Sequence, residues 1–399
     1  MTEDHGSDDG AAPRPQLSEQ VRSARANAGP TITLPDSVAH RVSPPQPTAL
    51  ILGTIQGGQL LPTLARLGCL PVMVTPANAL DLATESGTFG FLLLGPDAVG
   101  GEDSIYLICD LQALSPASKM LLIGMPTELT TGVLVDAMRA GVNDVVDPTD
   151  AIAMRTTIDK LMQSAAARAE RVLAIGAHPD DVEIGCAGTL LEHRRHGDSV
   201  SILTMSHGAV GGDQGARVLE SSAAAEAMGA RLMLADLPDA RIDAGVDTIR
   251  LIEDVVRAID PTIIYVHSKN DHHQDHRAVH GAVVSASRGV PRVFAYQSPS
   301  ATNDFAPTIF MAIDDVVGTK VDVLKLFESQ SARAYLEPEM VVAGARYWAR
   351  NLAPRAKYAE PFEVIRSLQA PEPRTPTKST AAQRVAPVAT LHEGWKVGA

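Results

Sequence analysis

His178, Asp180 and Asp181 are the densest knot of chemistry-bearing side chains in the sequence, and they stand directly behind the apolar run Val172–Ile175. The stretch reads Gly176, Ala177, His178, Pro179, Asp180, Asp181, Val182, Glu183, Ile184, Gly185. Pro179 fixes one backbone angle and stiffens the turn. His178 and Asp181 are three residues apart, so a tight turn can aim both at one point, with Asp180 close by but pointing elsewhere. An imidazole with a carboxylate suits zinc or a similar divalent ion, and a catalytic site of this kind takes three protein ligands and keeps one position open. The third ligand is expected from another strand end. Behind Thr262–Val266 the chain reads His267, Ser268, Lys269, Asn270, Asp271, His272, His273, Gln274, Asp275, His276, Arg277. Each segment alone has a plain structural reading: Asp180 or Asp181 can cap the following helix, and His272–His273 can be a solvated loop. Two such segments, each behind an apolar strand of one sheet, favour a metal site.

Positioning these side chains requires a parallel sheet, which binds ligands at the carboxyl ends of its strands. From Arg171 the pattern supplies one. Val172–Ile175, Val200–Met205, Leu232–Leu234, Thr262–Val266 and Val293–Ala295 read as strands, and Gly185–His196, Gly215–Met228, Asp247–Ile259 and Gln274–Ser287 as helices. An earlier region shows the same alternation. Its strands are Ala49–Leu52, Val72–Val74, Phe91–Leu94, Met120–Ile123 and Asp144–Val146, and its helices Leu60–Leu67, Ala77–Glu85, Thr131–Ala140 and Ile152–Ala165. Short apolar strands alternating with helices predict sheets covered on both faces. The expected fold class is therefore α/β with two doubly wound domains, at 48–167 and 171–368. Residues 1–47, with seven prolines and few aromatic residues, and 369–399 bury too little apolar surface to offset their ordering entropy and are expected to be disordered.

The balance of the whole chain excludes other classes. With 399 residues, 34 Lys and Arg against 47 Asp and Glu give a net charge of −13, which argues against nucleic acid as a partner. No apolar run reaches the roughly 18 residues of a membrane span. The acidic start MTEDHGSDDG is unlike a secretory signal. Cys69, Cys109 and Cys186 are scattered without metal-type spacing, so the expected compartment is the reducing cytoplasm.

Ala177-His178-Pro179-Asp180-Asp181 with the later His273-Gln274-Asp275-His276 resembles the PIG-L (LmbE-like) family of zinc-dependent N-acetylglucosaminyl deacetylases. Gly185-Cys186-Ala187-Gly188-Thr189-Leu190 resembles that family's glycine-rich helix start, and Arg217 with Glu220 and Met228-Gly229 its arginine/glutamate helix. Leu237-Pro238-Asp239 and Tyr358-Ala359-Glu360-Pro361-Phe362 resemble two further segments of it. The resemblance spans about Arg171 to Ser367 and implies a Rossmann-like domain with a mainly parallel sheet. It implies His178, Asp181 and His276 as zinc ligands and Asp180 as general base. It implies His273 as stabiliser of the oxyanion and Asp275 as the aspartate orienting it. Arg217 and Asp271 are the expected substrate contacts, against the plain alternatives of a helix-surface ion pair and a helix cap. Ser206, His207, Gly208, Gly211 and Gly212 form a glycine-rich loop suited to a mobile substrate contact.

Residues 48–167 resemble a response-regulator receiver domain of flavodoxin-like fold, through strand order and the ending Ala140-Gly141-Val142-Asn143-Asp144-Val145-Val146-Asp147-Pro148. The phosphorylation chemistry is missing. The acidic pair expected behind the first strand reads Gly53-Thr54, and the acceptor position reads Gly95, with Asp97 two residues late. Gly124 replaces a hydroxyl residue and Asp147 a lysine. Without clustered carboxylates there is no Mg2+ site, and without the lysine nothing pairs the phosphoryl group. A pseudo-receiver that binds a protein partner or a second copy is expected.

The expected whole is a metal-dependent N-deacetylase of an amino-sugar conjugate, an amidohydrolase with zinc as cofactor and iron(II) compatible with the same ligands. The competing readings are a signalling adaptor with a vestigial metal site and an amidohydrolase of another acyl group. Intact Asp180 and His273 count against the adaptor, because a structural site needs neither a base nor an oxyanion donor.

Overall fold

Runs of fully buried aliphatic residues, four or five at a time, fix where the two sheets lie. The computed structural model describes residues 32–33, 47–86 and 89–368. After the two-residue strand β1 (Ile32–Thr33) the chain alternates through β2 (Thr48–Leu52), α1 (Leu60–Arg66), β3 (Leu70–Val74), α2 (Ala79–Ser86), β4 (Phe91–Leu94), α3 (Glu102–Leu114), β5 (Lys119–Ile123), α4 (Thr131–Arg139), β6 (Asp144–Val146) and α5 (Ala151–Arg168). Strands β2 to β6 make a five-stranded parallel sheet of order β3-β2-β4-β5-β6. Alternate residues serve opposite faces: Leu50, Leu92 and Met120 pack into one core, and Ile51, Leu93 and Leu121 into the other.

The chain continues through β7 (Arg171–Gly176), α6 (Asp181–Arg195), β8 (Ser199–Thr204), α7 (Gln214–Ala227), β9 (Arg231–Ala235), α8 (Val246–Ile259), β10 (Ile263–His267), α9 (Gln274–Ala286), β11 (Arg292–Tyr296), β12 (Ile309–Ala312), α10 (Val317–Lys325), α11 (Pro338–Ala349) and β13 (Ala359–Ser367). Its eight-stranded sheet has the order β1-β9-β8-β7-β10-β11-β13-β12. The five strands from β9 to β11 are parallel, and β13 runs antiparallel to both β11 and β12. The α/β architecture with a mainly parallel second sheet is thus as expected.

Several elements differ from the expectation. Ile32–Thr33 pairs antiparallel with β9 (Ile32 with Ala235) inside a segment expected to be unstructured. A Thr-Ile-Thr-Leu run can cover a sheet edge without a core of its own. The rest of 1–46, and 369–399, lie outside the described residues. Helix α3 was not anticipated, nor were β12, α10 and α11. At the carboxyl ends of the first sheet, Asp97 Oδ1 accepts the Thr54 amide at 2.7 Å, and Asp147 Oδ1 accepts both donors of Thr149. Asp97 thereby ties the loops after β2 and β4 together, and Asp147 closes a local turn. Among the described residues no helix is long and apolar enough to cross a membrane.

Helix α6 was expected to begin at Gly185. It begins at Asp181 and is interrupted at Cys186 (φ −150°, ψ 18°). The Tyr296 ring presses on Gly185, where a Cβ would lie 2.2 Å from Cδ2, so only glycine fits. Helix hydrogen bonding restarts beyond the break, and the freed amides need a partner. Buried Glu360 of β13 supplies it, accepting from Gly188 N at 2.9 Å and Thr189 N at 2.7 Å. Lys320 Nζ balances that carboxylate at 2.5 Å and donates to Ile184 O at 2.8 Å. Glu360→Ala is therefore expected to leave a buried ammonium unpaired and cost about 3–5 kcal/mol in urea unfolding. Glu360→Ala with Lys320→Met should recover most of that loss; a single variant as stable as the parent would refute the clamp.

Candidate active site

Strands β7 and β10 are parallel neighbours, with Ile263 opposite Val172 and Tyr265 opposite Ala174. Their outgoing loops therefore emerge at the same end of the sheet. One carries His178 to Asp181, and the other carries Asp271 to His276. Asp180 sits at φ +93°, a conformation rare for a residue with a side chain. Such strain persists only where the surroundings impose it, and it is common at functional sites.

Asp181 is the common contact. One of its oxygens lies 3.2 Å from His178 Nδ1 and the other 3.3 Å from His276 Nε2, and the two rings are 5.5 Å apart. Each ring gives its far nitrogen to another carboxylate. His178 Nε2 lies 3.1 Å from both Asp275 Oδ2 and Asp239 Oδ1, and His276 Nδ1 lies 2.9 Å from Asp271 Oδ2. Potential ligand atoms within 4.8 Å of one another form three overlapping groups among the described residues: His178, His273 and His276; Asp181, His267 and His276; His178, Asp239 and Asp275. The expected trio of His178, Asp181 and His276 is spread over these groups, joined by the two contacts to Asp181.

Both expected substrate contacts, Asp271 and Arg217, are buried beside the site. Asp271 is buried and accepts from the Ser298 and Ser300 hydroxyls and from His273 N as well as facing His276, so it orients that ring and does not meet solvent. Arg217 is buried too. Its Nη2 donates to Pro179 O at 2.5 Å and lies 3.4 Å from Asp180 Oδ1, while Nη1 reaches Gly208 O at 3.3 Å. It positions the Asp180 turn. Asp275 also differs from expectation. Its carboxylate turns to His178 and to Ile242 N, and only its backbone amide meets His273, donating to Nδ1 at 3.2 Å. A neutral His273 accepting there carries its proton on Nε2. His272 is exposed.

His267 and Asp239 join the site without having been singled out as functional. His267 is fully buried, stacks on His276 at 3.8 Å and accepts the Ala177 amide. Its position as the last residue of a buried strand is the signal that could have found it. Asp239 holds Val210 N at 2.7 Å with the oxygen that His178 does not face, tying the glycine-rich loop to the site.

The electrostatics follow from this crowding. Burial opposes charge on His178 and His276, yet Asp181 with Asp275 and Asp239 lifts the first to about 10, and Asp181 with Asp271 lifts the second to about 9. Burial also opposes ionisation of Asp181, but His276, His267 and His178 hold it well below the carboxylate range. Burial and His276 push His267 down to about 4, leaving it neutral. Burial, His276 and His178 also lower His273. Asp180 goes the other way: burial and Asp181 push it up to about 7 against the pull of Arg217, His178 and Arg333.

The donor set fits a divalent transition metal. Two imidazoles and a carboxylate face one another, and each ring is pinned through its other nitrogen by a carboxylate, the arrangement that fixes a metal-binding tautomer. Protons now shared with Asp181 are those a cation would displace. Asp271→Asn is expected to weaken divalent-metal affinity about 10–100-fold, because the His276 ring loses its anchor. Chelator competition measures it, and unchanged affinity would separate Asp271 from metal binding.

The family model described as PIG-L, GlcNAc-PI de-N-acetylase, matches residues 173–287. The chain is 31% identical over 185 residues to the uncharacterized deacetylase YaiS of Escherichia coli K12, an alignment covering 44% of this chain and 100% of that protein. It is similar to the conserved protein TT1542 of Thermus thermophilus, with 25% identity, 50% and 97% of the two chains covered and a TM-score of 0.46. It is also similar to the N,N'-diacetylchitobiose deacetylase of Pyrococcus horikoshii, with 17% identity, 53% and 89% covered and a TM-score of 0.45. A third similar structure is GalB, the 4-carboxy-2-hydroxymuconate hydratase of Pseudomonas putida, with 23% identity, 50% and 98% covered and a TM-score of 0.44.

Proposed function

Since the chain belongs to the PIG-L family, we propose that it is a metal-dependent hydrolase that removes the acetyl group from an N-acetylglucosamine-type conjugate. The observation that carries this reading is Asp180, a buried carboxylate pushed up to about 7 beside two imidazoles that share Asp181. The family's description as a GlcNAc-PI de-N-acetylase and the likeness to an Escherichia coli deacetylase supply the acyl group and the amino sugar.

A divalent cation, zinc or iron(II), held by His178, Asp181 and His276 would supply Lewis acidity and lower the pKa of a water from about 16 to about 7. Asp180 takes the proton from the attacking water. Near neutrality it is both ionised enough to accept a proton and basic enough to hold it, which suits one group for base and then acid. Arg217, 3.4 Å away, keeps the carboxylate in place and favours its charged form. Attack on the amide carbonyl develops negative charge on its oxygen, and His273 donates its Nε2–H there. One such donor is typically worth about 3–4 kcal/mol. Burial, His276 and His178 favour the neutral ring, so the donor there is an ordinary N–H. As the C–N bond breaks, Asp180 returns its proton to the leaving amine.

The sheet of β2 to β6 acts in this reading as a receiver-like module without phosphoryl chemistry, docking a protein partner or a second copy. Supporting it, Gly53-Thr54 and Gly95 offer no carboxylate, and Asp97 is engaged with Thr54. Val135, Met138, Val145 and Ile152 are exposed on α4, β6 and α5.

Acetate release from N-acetylglucosamine conjugates tests the hydrolase. Asp180→Asn should lower kcat by about 10²–10⁴-fold while metal content stays at the parent level. Chelation should abolish release, and zinc or iron(II) should restore it. Parent-level turnover by Asp180→Asn would sink the mechanism.

A further inference from the structure

We infer that Asp239 is a positioning residue that latches the glycine-rich loop 207–212 to the ring of His178, so that cation binding and loop closure strengthen one another; this rests on the metal site of the hydrolase reading above. The Asp239 side chain is 8% exposed, and its two oxygens do different things. Oδ1 lies 3.1 Å from His178 Nε2, and Oδ2 accepts Val210 N at 2.7 Å. Asp275 meets the same ring nitrogen at 3.1 Å, but its other oxygen accepts Ile242 N. One ring nitrogen thus faces two carboxylates, and of the two it is Asp239 that leads to the loop.

The aim of Asp239 is imposed by its neighbours. Ala240 stands at φ +62°, uncommon for a residue with a side chain, and its carbonyl accepts Gln274 Nε2 from the first turn of α9 at 3.3 Å. Ile242 N is fixed on Asp275 of the same turn. The segment that carries Asp239 is therefore seated on the helix that presents His276. The loop is held less firmly. Val210 is 72% exposed. Two other side chains grip loop carbonyls, Arg217 at Gly208 O and Gln330 at Gly211 O, and both bonds are 3.3 Å long. The bond to the Asp239 carboxylate is the shortest of the three, and its acceptor is an acid group. Arg217 also donates to Pro179 O and lies 3.4 Å from Asp180, so the latched loop is joined to the turn that carries the base. A ring that binds a cation through one nitrogen becomes a stronger donor at the other and is fixed in orientation. His178 then pins Oδ1 of Asp239 and leaves Oδ2 aimed at Val210. Coupling of this kind is reciprocal: what the cation adds to the loop, the loop adds to cation affinity.

The test compares the full-length protein stripped by a chelator with the same protein loaded with zinc. It reads amide hydrogen exchange in the loop, and zinc affinity by chelator competition. In the parent, zinc should slow loop exchange about 5-fold or more, the low end of coupling between sites. Asp239→Asn leaves one accepting oxygen, which cannot serve both His178 and Val210. Its loop should exchange at the same rate with and without zinc, and its zinc affinity should fall about 10-fold. Val210→Pro deletes the loop's donor and leaves every ligand unchanged; it should lower zinc affinity about 5-fold. Val210→Ala keeps the amide and should match the parent. Asp239→Asn combined with Val210→Pro should bind zinc as Asp239→Asn alone does, because the two changes break one bond. Loop exchange that ignores zinc in a parent that binds it, or losses that add in the double variant, overturns the latch and leaves the hydrolase reading intact. Zinc-dependent loop exchange without acetate release supports the latch and sinks the hydrolase. A parent that takes up no zinc overturns both.

Discussion

One carboxylate shared by two imidazoles organises this half of the molecule. Asp181 can meet both His178 and His276 only if β7 and β10 are adjacent and parallel, because the two rings come from loops leaving those strands. It also requires the first turn of α6 to stand apart from the rest of the helix. Beyond that turn α6 packs Ala187, Leu190 and Leu191 into the core. The break at Cys186 separates these two demands. Tyr296 seals one side of it against Gly185 and bonds Ile175 O, while Glu360 and Lys320 satisfy the amides and a carbonyl that the break exposes. The closing strand β13 thus serves the site without reaching it.

The site carries more negative charge than its own cations can balance. Asp180, Asp181, Asp271 and Asp275 are buried there, and Asp239 is nearly so. A buried carboxylate is costly unless it is paired or hydrogen-bonded. Four of the five lie against the His178 and His276 rings, and Asp271 is further held by two serine hydroxyls. Asp180 is different. Its near partner is Arg217, at 3.4 Å, which is already spent on two carbonyls. This asymmetry makes chemical sense. Carboxylates that hold rings are fixed in the charged form by their partners, as Asp181 and Asp271 are. A carboxylate that must gain and lose a proton needs a neighbour weak enough to let it do so.

The residue types and spacings were sufficient to bring His178, Asp180, Asp181, His273 and His276 to one place, because strand ends in a parallel sheet converge by topology. What each side chain faces was not legible. Asp271 and Arg217 read as substrate contacts because Asp and Arg are rarely buried without a partner, and their partners, Ser298, Ser300, Pro179 and Gly208, lie in other loops. Asp239 contributes through a carboxylate that only the folded β9 loop brings to His178. Helix α3 escaped notice because Glu-Asp-Ser-Ile-Tyr-Leu-Ile-Cys-Asp-Leu buries little beyond Ile108 and Leu111. Ile32–Thr33 escaped because two residues make a strand only when an edge is there to receive them.

The same helix that presents Asp181 also carries a contact to the first sheet. At the far end of α6, about 22 Å along its axis by the usual rise, Arg195 donates to Ala113 O near the end of α3 at 2.6 Å and also meets Glu192 and Asp315. A carbonyl near a helix C-terminus is a good acceptor for a guanidinium, since the helix dipole adds to the attraction. A displacement of α3 along this bond would therefore be felt at Arg195. It would not pass to Asp181 as through a rigid rod, because the backbone between them changes direction at Cys186. At that point the helix is held by the Glu360 carboxylate at Gly188 and Thr189, with Lys320 bridging back to Ile184. A mechanical route along α6 to the Asp181 turn therefore runs through that buried ion pair, so the clamp that keeps α6 folded also sets how stiffly the helix joins the two sheets.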